Sequence, residues 1–315
     1  MKKLKIGVVG VGHIGKNHAR IYSELPQVEL AAVYDTDFQV AGEIAEKYHT
    51  YPARSLEEFS GLVEAASVAT PTQHHFAVAS LLLEKGRHVL VEKPITDNTR
   101  QAYALVELAQ RFSLILQAGH VERFNPALSV LEKCLTRPRF IEVHRLSPFP
   151  NRSTDIDVVL DLMIHDLDVV LYLVNSHVEN IDAVGIPVLS PKAADIANAR
   201  LRFANGCIAN ITASRISQEK MRKIRIFQPE TYISLDYQNQ TGQVFRRKGD
   251  QIDVEPVQIK KDEPLKCQLS SFVECCIAGG NPKVSGRQAA KALELAASIS
   301  QTIEKQNAGD ALLRL

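Results

Sequence analysis

The sequence has little net charge, few cysteines and no long apolar run. Its 315 residues include 37 basic and 36 acidic side chains, which leave a net charge of +1. Such a chain has no overall field that attracts nucleic acid or an anionic membrane, so an anionic ligand must be held by local groups. No apolar stretch approaches the roughly 18 residues of a membrane span. These absences favour a soluble, cytoplasmic protein.

The cysteines show no metal-ligand spacing, and their odd number argues against a disulfide framework. Cys275 and Cys276 are expected in a helix as buried small apolar residues. The sequence therefore predicts no metal site. The five cysteines are Cys134, Cys207, Cys267, Cys275 and Cys276.

The chain is organised around its beginning, where an apolar run ending at Val8 and Val9 predicts a buried strand. It leads into Gly10-x-Gly12-x-x-Gly15, and a helix is predicted to follow. The three glycines serve a tight turn, close approach of backbone to a pyrophosphate, and packing of helix on strand. The first helical N–H groups would then face the phosphates. A glycine-rich turn without a ligand is the alternative.

The next strand favours the nucleotide. Val28 to Tyr34 is apolar and ends at Asp35, 20 residues after Gly15. A carboxylate there would bond both hydroxyls of an adenosine ribose and repel a 2'-phosphate, which predicts NAD in preference to NADP. Asp37 is either a second acid of this site or the cap of a helix that begins at Phe38.

Strands and helices alternate up to about residue 120, which predicts a parallel, doubly wound Rossmann sheet. Ligands bind beyond the carboxyl ends of such strands. The residues predicted at those ends are Gly10, Asp35, Thr70, Glu92, Lys93 and Gly119. Lys93 would lie where the nicotinamide end of a dinucleotide reaches, with Thr70, Pro71 and His74 bordering the same crevice. A surface lysine at a strand end is the alternative.

The pattern changes after residue 120. A helix is predicted from Asn125-Pro126 to about Leu135, and mostly strands from Val178 to about Ile259. Short turns at Asn205-Gly206 and Lys248-Gly249-Asp250 indicate antiparallel strands. We therefore predict two domains: a Rossmann NAD-binding domain over 1–120, and an α/β domain for substrate binding and oligomerisation over 121–315. The last helices could pack back on the first domain.

A helix predicted from Ile156 to Val174 carries a polar stripe among apolar residues. Asp161 and His165 are four apart and Asp168 is three further on, so all three share one face. A carboxylate and an imidazole in that setting fit a positioned general base. The alternative, which the helix alone supports equally well, is a surface stripe whose polar groups contact only water. Asp166 falls off the stripe and is expected to be solvated.

Together these motifs, in this order and spacing, resemble the Gfo/Idh/MocA family of nicotinamide-dependent sugar and cyclitol dehydrogenases over essentially the whole chain. The motifs are Gly10-x-Gly12-x-x-Gly15, Asp35, Thr70-Pro71-Thr72-x-His74, Glu92-Lys93-Pro94 and Asp161-x-x-x-His165. The resemblance implies that the second domain has an open, mainly antiparallel sheet. It also implies oligomerisation through the exposed sheet face, and so a homodimer or homotetramer.

The resemblance further implies residue roles. Lys93 would bind and polarise the reacting hydroxyl, His165 would be the acid/base with Asp161 beside it, and the Lys93–Pro94 peptide would be cis. Hydride would pass between the carbinol carbon and nicotinamide C4. The cofactor-binding residues expected are Gly10, Gly12, His13, Ile14, Gly15, Asp35, Thr70, Pro71, His74, Glu92 and Lys93.

The segment from Gly119 to Pro126, together with Ile164-His165-Asp166-Leu167-Asp168, is similar to a branch of the family that acts on nucleotide-activated amino sugars. The predicted reaction is oxidation of the C3 hydroxyl of a UDP-N-acetylamino sugar such as UDP-N-acetylglucosamine. Arg123 and Asn125 could hold its diphosphate or sugar hydroxyls, or they could cap the helix at Pro126. Met163 stands where the family often has a small residue, which leaves the shape of the pocket open.

Two other functions stay open at this point. One is a dehydrogenase of a free sugar or an inositol-type cyclitol, whose pocket would hold no diphosphate. The other is a non-catalytic NAD-binding sugar sensor, which could lose its acid/base groups, whereas Lys93, Asp161 and His165 are all present.

Overall fold

The computed structural model describes residues 2–149, 156–191 and 193–312. Internal contacts divide the chain into two compact units. Met1–Val121 and Glu263–Lys291 form the first unit, and Glu122–Asp262 and Ala292–Leu315 form the second. The division of labour between a cofactor domain over 1–120 and a substrate domain over 121–315 stays a prediction.

The first unit contains a sheet of six parallel strands in the order β3-β2-β1-β4-β5-β6. The strands are β1 Leu4–Val9, β2 Val28–Tyr34, β3 Tyr51–Pro52, β4 Ala65–Val68, β5 His88–Glu92 and β6 Leu116–Gly119. The chain starts in the middle of the sheet and winds out in both directions, so the order reverses between β1 and β4. This is the predicted doubly wound sheet, and its ligand crevice lies at that reversal.

Nine α-helices occur in the described part of the chain. They are α1 Gly15–Glu24, α2 Phe38–Tyr48, α3 Leu56–Leu62, α4 His75–Glu84, α5 Thr99–Arg111, α6 Leu131–Cys134, α7 Ile164–Val174, α8 Pro264–Ala278 and α9 Gly286–Leu312. None of these helices combines the length and the apolar character needed to cross a bilayer. Cys275 and Cys276 lie in α8 as expected, but both are half-buried.

Side-chain caps set the start of several helices. Asp37 Oδ1 accepts a hydrogen bond of 3.0 Å from the N–H of Gln39, and Ser55 Oγ accepts one of 3.1 Å from the N–H of Glu58. Such a cap stabilises a helix by about 1 kcal/mol. Of the two interpretations of Asp37, the structure therefore shows the helix cap.

The core of the first unit lies between its sheet and the helices α1 and α8. Ile6 of β1 and Leu90 of β5 are fully buried, and Tyr22 of α1 and Phe272 of α8 pack into the same cluster. Burying a large apolar side chain contributes roughly 1.5–3 kcal/mol, so this cluster fixes α1 directly behind the glycine turn.

The second unit is built on an eight-stranded sheet in the order β14-β13-β12-β11-β7-β10-β9-β8. The strands are β7 Phe140–Leu146, β8 Val178–Ile186, β9 Ile196–Phe203, β10 Ile208–Ser214, β11 Met221–Gln228, β12 Thr231–Asp236, β13 Thr241–Lys248 and β14 Gln251–Pro256. β7 and β10 run parallel, and the other neighbours run antiparallel. The predicted open, mainly antiparallel sheet is confirmed.

One face of this sheet is apolar and buried, because its strands alternate. Ile226 of β11 pairs with Ile233 of β12, and both are fully buried. The opposite face carries polar and aromatic side chains, among them Arg225 and Phe227. Side chains two residues apart share a face of a strand, so this alternation fixes the register.

The polar helix departs from the uniform α-helix expected over Ile156 to Val174. Val159–Met163 forms a π-helical turn, and the regular helix α7 begins only at Ile164. A π turn is wider than an α turn and is frequently found at functional sites. The expected four-residue stacking of Asp161 and His165 therefore crosses a change of helix type.

Candidate functional site

The glycine turn leads from β1 into α1 and needs glycine for steric reasons. Gly10 has a φ of +81°, and a Cβ there would lie 2.8 Å from the backbone nitrogen of Thr70. A Cβ on Gly15 would collide with the carbonyl of Gly10, whereas one on Gly12 would meet nothing within 4 Å. The turn is thus packed on the protein side and open at Gly12, where a pyrophosphate could approach.

Asp35 lies beside this turn, because β1 and β2 are neighbours. Its Oδ2 accepts a hydrogen bond of 2.9 Å from the N–H of Val11, and its Oδ1 accepts one of 3.1 Å from the N–H of Asp37. The carboxylate is half-buried and held in place by backbone, with lone pairs left for ribose hydroxyls. His13 and Ile14 are exposed within the turn.

A polar atom at the end of β4 supports the same assignment. The buried Oγ1 of Thr70 has no hydrogen-bond partner among the described residues. A buried hydroxyl of this kind requires a partner, and a bound ligand can supply one. The adjacent Pro71 and His74 are exposed, and the His74 ring contacts Gln73. The glycine turn, Asp35 and Thr70 together fit a dinucleotide.

Glu92 and Lys93 lie where β5 ends, and both are half-buried. Glu92 Oε1 is 3.2 Å from Nε2 of the buried His18, and the Lys93 N–H donates to Glu92 Oε2 at 3.3 Å. Burial raises the pKa of Glu92, but His18 and Lys93 outweigh it, so the pKa lies below its usual value. An ionised carboxylate therefore stands next to the Lys93 ammonium. The Lys93–Pro94 peptide is cis, as the resemblance implied.

His75 is a residue that the sequence motifs do not single out. It is 1% exposed, and its ring lies between two backbone carbonyls, that of Pro94 at 2.9 Å and that of Thr70 at 2.8 Å. The only local signal is its position next to His74, directly after the Thr70-Pro71 motif. Which loops it joins depends on the tertiary structure.

In the second unit, Asp161 lies in the π turn and His165 in the first turn of α7. Both side chains are half-buried. Met163 between them is fully buried, so its bulk fills the core of this unit. The roles of Asp161 and His165 stay predictions.

The expectation that Asp166 is solvated is wrong. Asp166 is 1% exposed, and its two carboxylate oxygens accept hydrogen bonds of 2.6 and 3.0 Å from the guanidinium of Arg145. Arg145 also donates to Glu122 at 3.0 Å, and Arg222 does so at 3.2 Å. Two cations and two carboxylates thus form an ionic network under α7, in which Arg145, Glu122 and Asp166 are buried and Arg222 is partly exposed.

Asp168 of the predicted stripe is also buried. It is 2% exposed and lies 3.5 Å from Nη1 of Arg123, whose guanidinium stacks 3.6 Å over the ring of Tyr172. Arg123 itself is 3% exposed. Asp168 therefore neutralises a buried arginine, and the stripe that remains partly exposed consists of Asp161 and His165.

Asn125 caps the short helix that starts at Pro126. Its Oδ1 accepts a hydrogen bond of 3.1 Å from the N–H of Ala127, and its Nδ2 donates to the carbonyl of Tyr237 at 3.0 Å. The capping alternative for Asn125 is thus observed. Binding of a diphosphate or sugar by Arg123 and Asn125 stays a prediction.

No group of three or more histidine, cysteine or acidic side chains in the described ranges could hold a metal ion. The candidate site residues form two sets, one in each unit. The first unit gathers the glycine turn, Asp35, Thr70, Glu92 and Lys93, and the second carries Asp161 and His165 over the ionic network.

The parallel sheet, the glycine turn and Asp35 define a dinucleotide-binding α/β protein. Comparison with known proteins makes the class specific. Residues 4–120 match the family model for the GFO/IDH/MocA oxidoreductase family with an NAD-binding Rossmann fold, and residues 132–233 match the GFO/IDH/MocA C-terminal domain. The chain therefore belongs to the Gfo/Idh/MocA family and is an oxidoreductase with an NAD-binding Rossmann fold.

Individual relatives include the UDP-N-acetylglucosamine 3-dehydrogenase of Acidithiobacillus ferrooxidans. It is 36% identical over 97% of this chain and 100% of its own length, and its solved structure matches with a TM-score of 0.92 over 97% and 99% of the two chains. The scyllo-inositol 2-dehydrogenase (NAD(+)) of Bacillus subtilis is 25% identical over 93% of this chain and 92% of its own. A levoglucosan dehydrogenase structure shares the fold, with a TM-score of 0.88, 17% identity, and coverage of 96% and 98%.

Proposed function

We propose that the protein is an NAD-dependent dehydrogenase that oxidises the C3 hydroxyl of UDP-N-acetylglucosamine to a ketone. The observation that carries this proposal is the 36% identity to the Acidithiobacillus enzyme, which extends over 97% of this chain and hence over both units. The proposed place of action is the cytoplasm.

The first unit would hold the cofactor with groups already in position. The open face at Gly12 receives the pyrophosphate, and the carboxylate of Asp35 accepts from the ribose hydroxyls. The Oγ1 of Thr70 gains the hydrogen-bond partner that it lacks among the described residues. The exposed His13, Ile14, Pro71 and His74 are proposed to line this site. Bound NAD supplies an acceptor for hydride at nicotinamide C4.

Lys93 and His165 would divide the proton chemistry. The Lys93 ammonium donates a hydrogen bond to the reacting oxygen, which stabilises negative charge on it. A neutral His165 imidazole takes the hydroxyl proton while the carbinol C–H bond breaks and its electron pair leaves as hydride. The C=O bond forms from the oxygen lone pair. Asp161 favours the resulting imidazolium by its negative charge.

Binding of the substrate's diphosphate is assigned to the Arg123 to Asn125 segment. Arg123 already faces Asp168 and Tyr172, and Asn125 already caps a helix. Arg123 is 3% exposed, so direct contact with the diphosphate would require its guanidinium to become accessible. An Arg123→Lys variant tests this, since lysine keeps the charge but not the planar fork.

Reduction of NAD, followed at 340 nm, tests the function. We expect turnover with UDP-N-acetylglucosamine, in the presence of an amine or aminotransferase that traps the ketone, and none with myo-inositol, scyllo-inositol or glucose. Lys93→Ala and His165→Ala should each lower kcat by at least about 100-fold. Turnover with the free cyclitols alone would establish the second candidate function. Wild-type turnover that neither variant changes would contradict the residue roles.

We further propose that the exposed sheet face joins two or four copies of the chain. Its support is a row of stacked rings across four neighbouring strands, with centroids 4.6 to 5.6 Å apart. The rings are Phe140, Phe227, Tyr232 and Phe245. Phe227→Glu should place a charge in this row and give monomers in light scattering, whereas wild type should be dimeric or tetrameric. A wild-type monomer would overturn the proposal.

A further inference from the structure

His75 lies at the start of α4, buried between two loops that carry proposed site residues. Its Nδ1 is 2.9 Å from the carbonyl oxygen of Pro94, and its Nε2 is 2.8 Å from the carbonyl oxygen of Thr70. Pro94 directly follows Lys93, and Thr70 packs against the glycine turn through Gly10. One side chain therefore connects the lysine loop to the loop at the end of β4.

The chemistry of the two contacts is unusual for a buried histidine. A carbonyl oxygen only accepts, so each contact is a hydrogen bond only when the facing ring nitrogen carries a proton. A neutral ring can satisfy one carbonyl, and the imidazolium satisfies both. Burial lowers the pKa of His75 below its ordinary value, while the two carbonyls, Glu92 and Asp97 act in the opposite direction. When both carbonyls are bonded, the ring has no free nitrogen and cannot itself act as the acid or base.

We propose that His75 is a positioning residue that sets two distances at once: Nδ1 holds the Lys93–Pro94 segment for catalysis, and Nε2 holds the Thr70 loop for the cofactor. The proposal rests on the proposed function of Lys93 and Thr70. Its physical basis is that a shift of about 1 Å in a catalytic group can cost about 100-fold in rate. The two nitrogens should therefore have separable effects.

Two near-isosteric variants separate them. In His75→Asn the amide nitrogen can take the place of Nδ1, so the link to Pro94 is kept and the link to Thr70 is lost. In His75→Gln the amide nitrogen can take the place of Nε2, with the opposite result. We expect His75→Asn to raise the Kd for NADH, measured by fluorescence titration, about tenfold with kcat within twofold of wild type. His75→Gln should lower kcat about 10- to 100-fold with the NADH Kd unchanged.

His88→Ala is the matched control, since His88 lies at the other end of β5 and its Nδ1 accepts from the N–H of Ile115 at 3.0 Å. It should lower the melting temperature without changing kcat or the Kd. If both His75 variants lose kcat and affinity alike, in step with their melting temperatures, His75 is only a structural residue and the proposal is overturned. Unchanged kinetics in both variants would also overturn it.

A measurement on the wild-type protein covers the case in which a variant fails to fold. Long-range 1H–15N spectra at pH 7 should show a proton on both Nδ1 and Nε2 of His75. A bare Nδ1 would overturn the link to Pro94, and a bare Nε2 would overturn the link to Thr70. This spectrum and the NADH titrations need no sugar substrate. A wild type that oxidises no sugar would therefore refute the proposed function, while these two readouts still decide the placement of the loops.

Discussion

At the scale of single residues, identical side chains have different tasks because their neighbours differ. Asp35 and Asp37 are two residues apart, yet their tasks differ. Asp35 accepts a hydrogen bond from the N–H of Val11, which follows the neighbouring strand β1, and Asp37 caps α2. His74 is exposed while His75 is buried between two carbonyls. Residue type alone therefore does not assign a role in this site.

Replacing Asp35 should change the choice of cofactor. In Asp35→Ala the ribose hydroxyls lose a charged acceptor, worth about 1.5–3 kcal/mol, and the repulsion of a 2'-phosphate disappears. We expect the ratio of kcat/KM for NAD over NADP to fall about 10- to 100-fold. Asp37→Ala is the control, since it should cost about 1 kcal/mol of stability through the lost cap and leave the ratio unchanged. Equal effects of the two variants would contradict the assignment.

At the scale of elements, helix α7 is held in place by charged side chains that belong to other elements. Asp166 is held from β7 by Arg145, which also binds Glu122. Burial lowers the pKa of Arg145, whereas the neighbouring carboxylates of Asp166 and Glu122 raise it. The pKa of Arg145 therefore ends above its usual value. The guanidinium is thus charged at every relevant pH, and it keeps both carboxylates compensated.

Removing Arg145 should be far more costly than removing an exposed arginine of the same sheet. Arg145→Ala leaves the buried Asp166 without its cation and Glu122 with only the partly exposed Arg222, which costs about 3–5 kcal/mol. Arg225→Ala breaks only the exposed ion pair with Glu142, worth about 1 kcal/mol or less. Urea unfolding of both variants measures the difference. Similar losses in the two variants would refute the view that the network anchors α7.

At the scale of the whole molecule, both units contain buried or half-buried carboxylates that the fold keeps ionised. Glu92 in the first unit and Glu122 and Asp195 in the second all have pKa values below their ordinary ones of 4.5 and 3.8. Burial raises each pKa, but nearby basic side chains and hydrogen bonds from N–H or hydroxyl groups lower it by more. Asp166 is the exception, since burial dominates and raises its pKa.

These shifts predict the acid stability of the protein. A carboxylate whose folded pKa is lowered stabilises the fold above its unfolded pKa, and this stability is lost as the pH falls through the folded value. We expect the melting temperature to be nearly constant from pH 7 to about 5 and to fall steeply below about 4.5. Asp166 opposes this trend, so Asp166→Asn should not remove the fall. A melting temperature that holds from pH 5 to pH 3 would contradict the prediction.

Much of the fold and part of the site follow from local sequence. Alternating strands and helices, the glycine turn and the acid at the end of β2 are local patterns, and they predicted the doubly wound sheet and the cofactor site. Lys93 could be placed at the end of β5 for the same reason. The hairpin turn at Asn205-Gly206 was predictable because an Asn-Gly pair favours a turn with positive φ, and Gly206 has a φ of +83°.

The tertiary structure alone decided which polar groups are buried and what compensates them. Asp166 and Arg145 are 21 positions apart, and Asp168 and Arg123 lie on separate elements. The two carbonyls that hold His75 come from different loops, and the π turn before α7 interrupts a sequence that reads as one α-helix. The physical reason is that the free energy of a buried charge depends on partners distant in sequence, whereas strands, turns and caps depend on neighbouring residues.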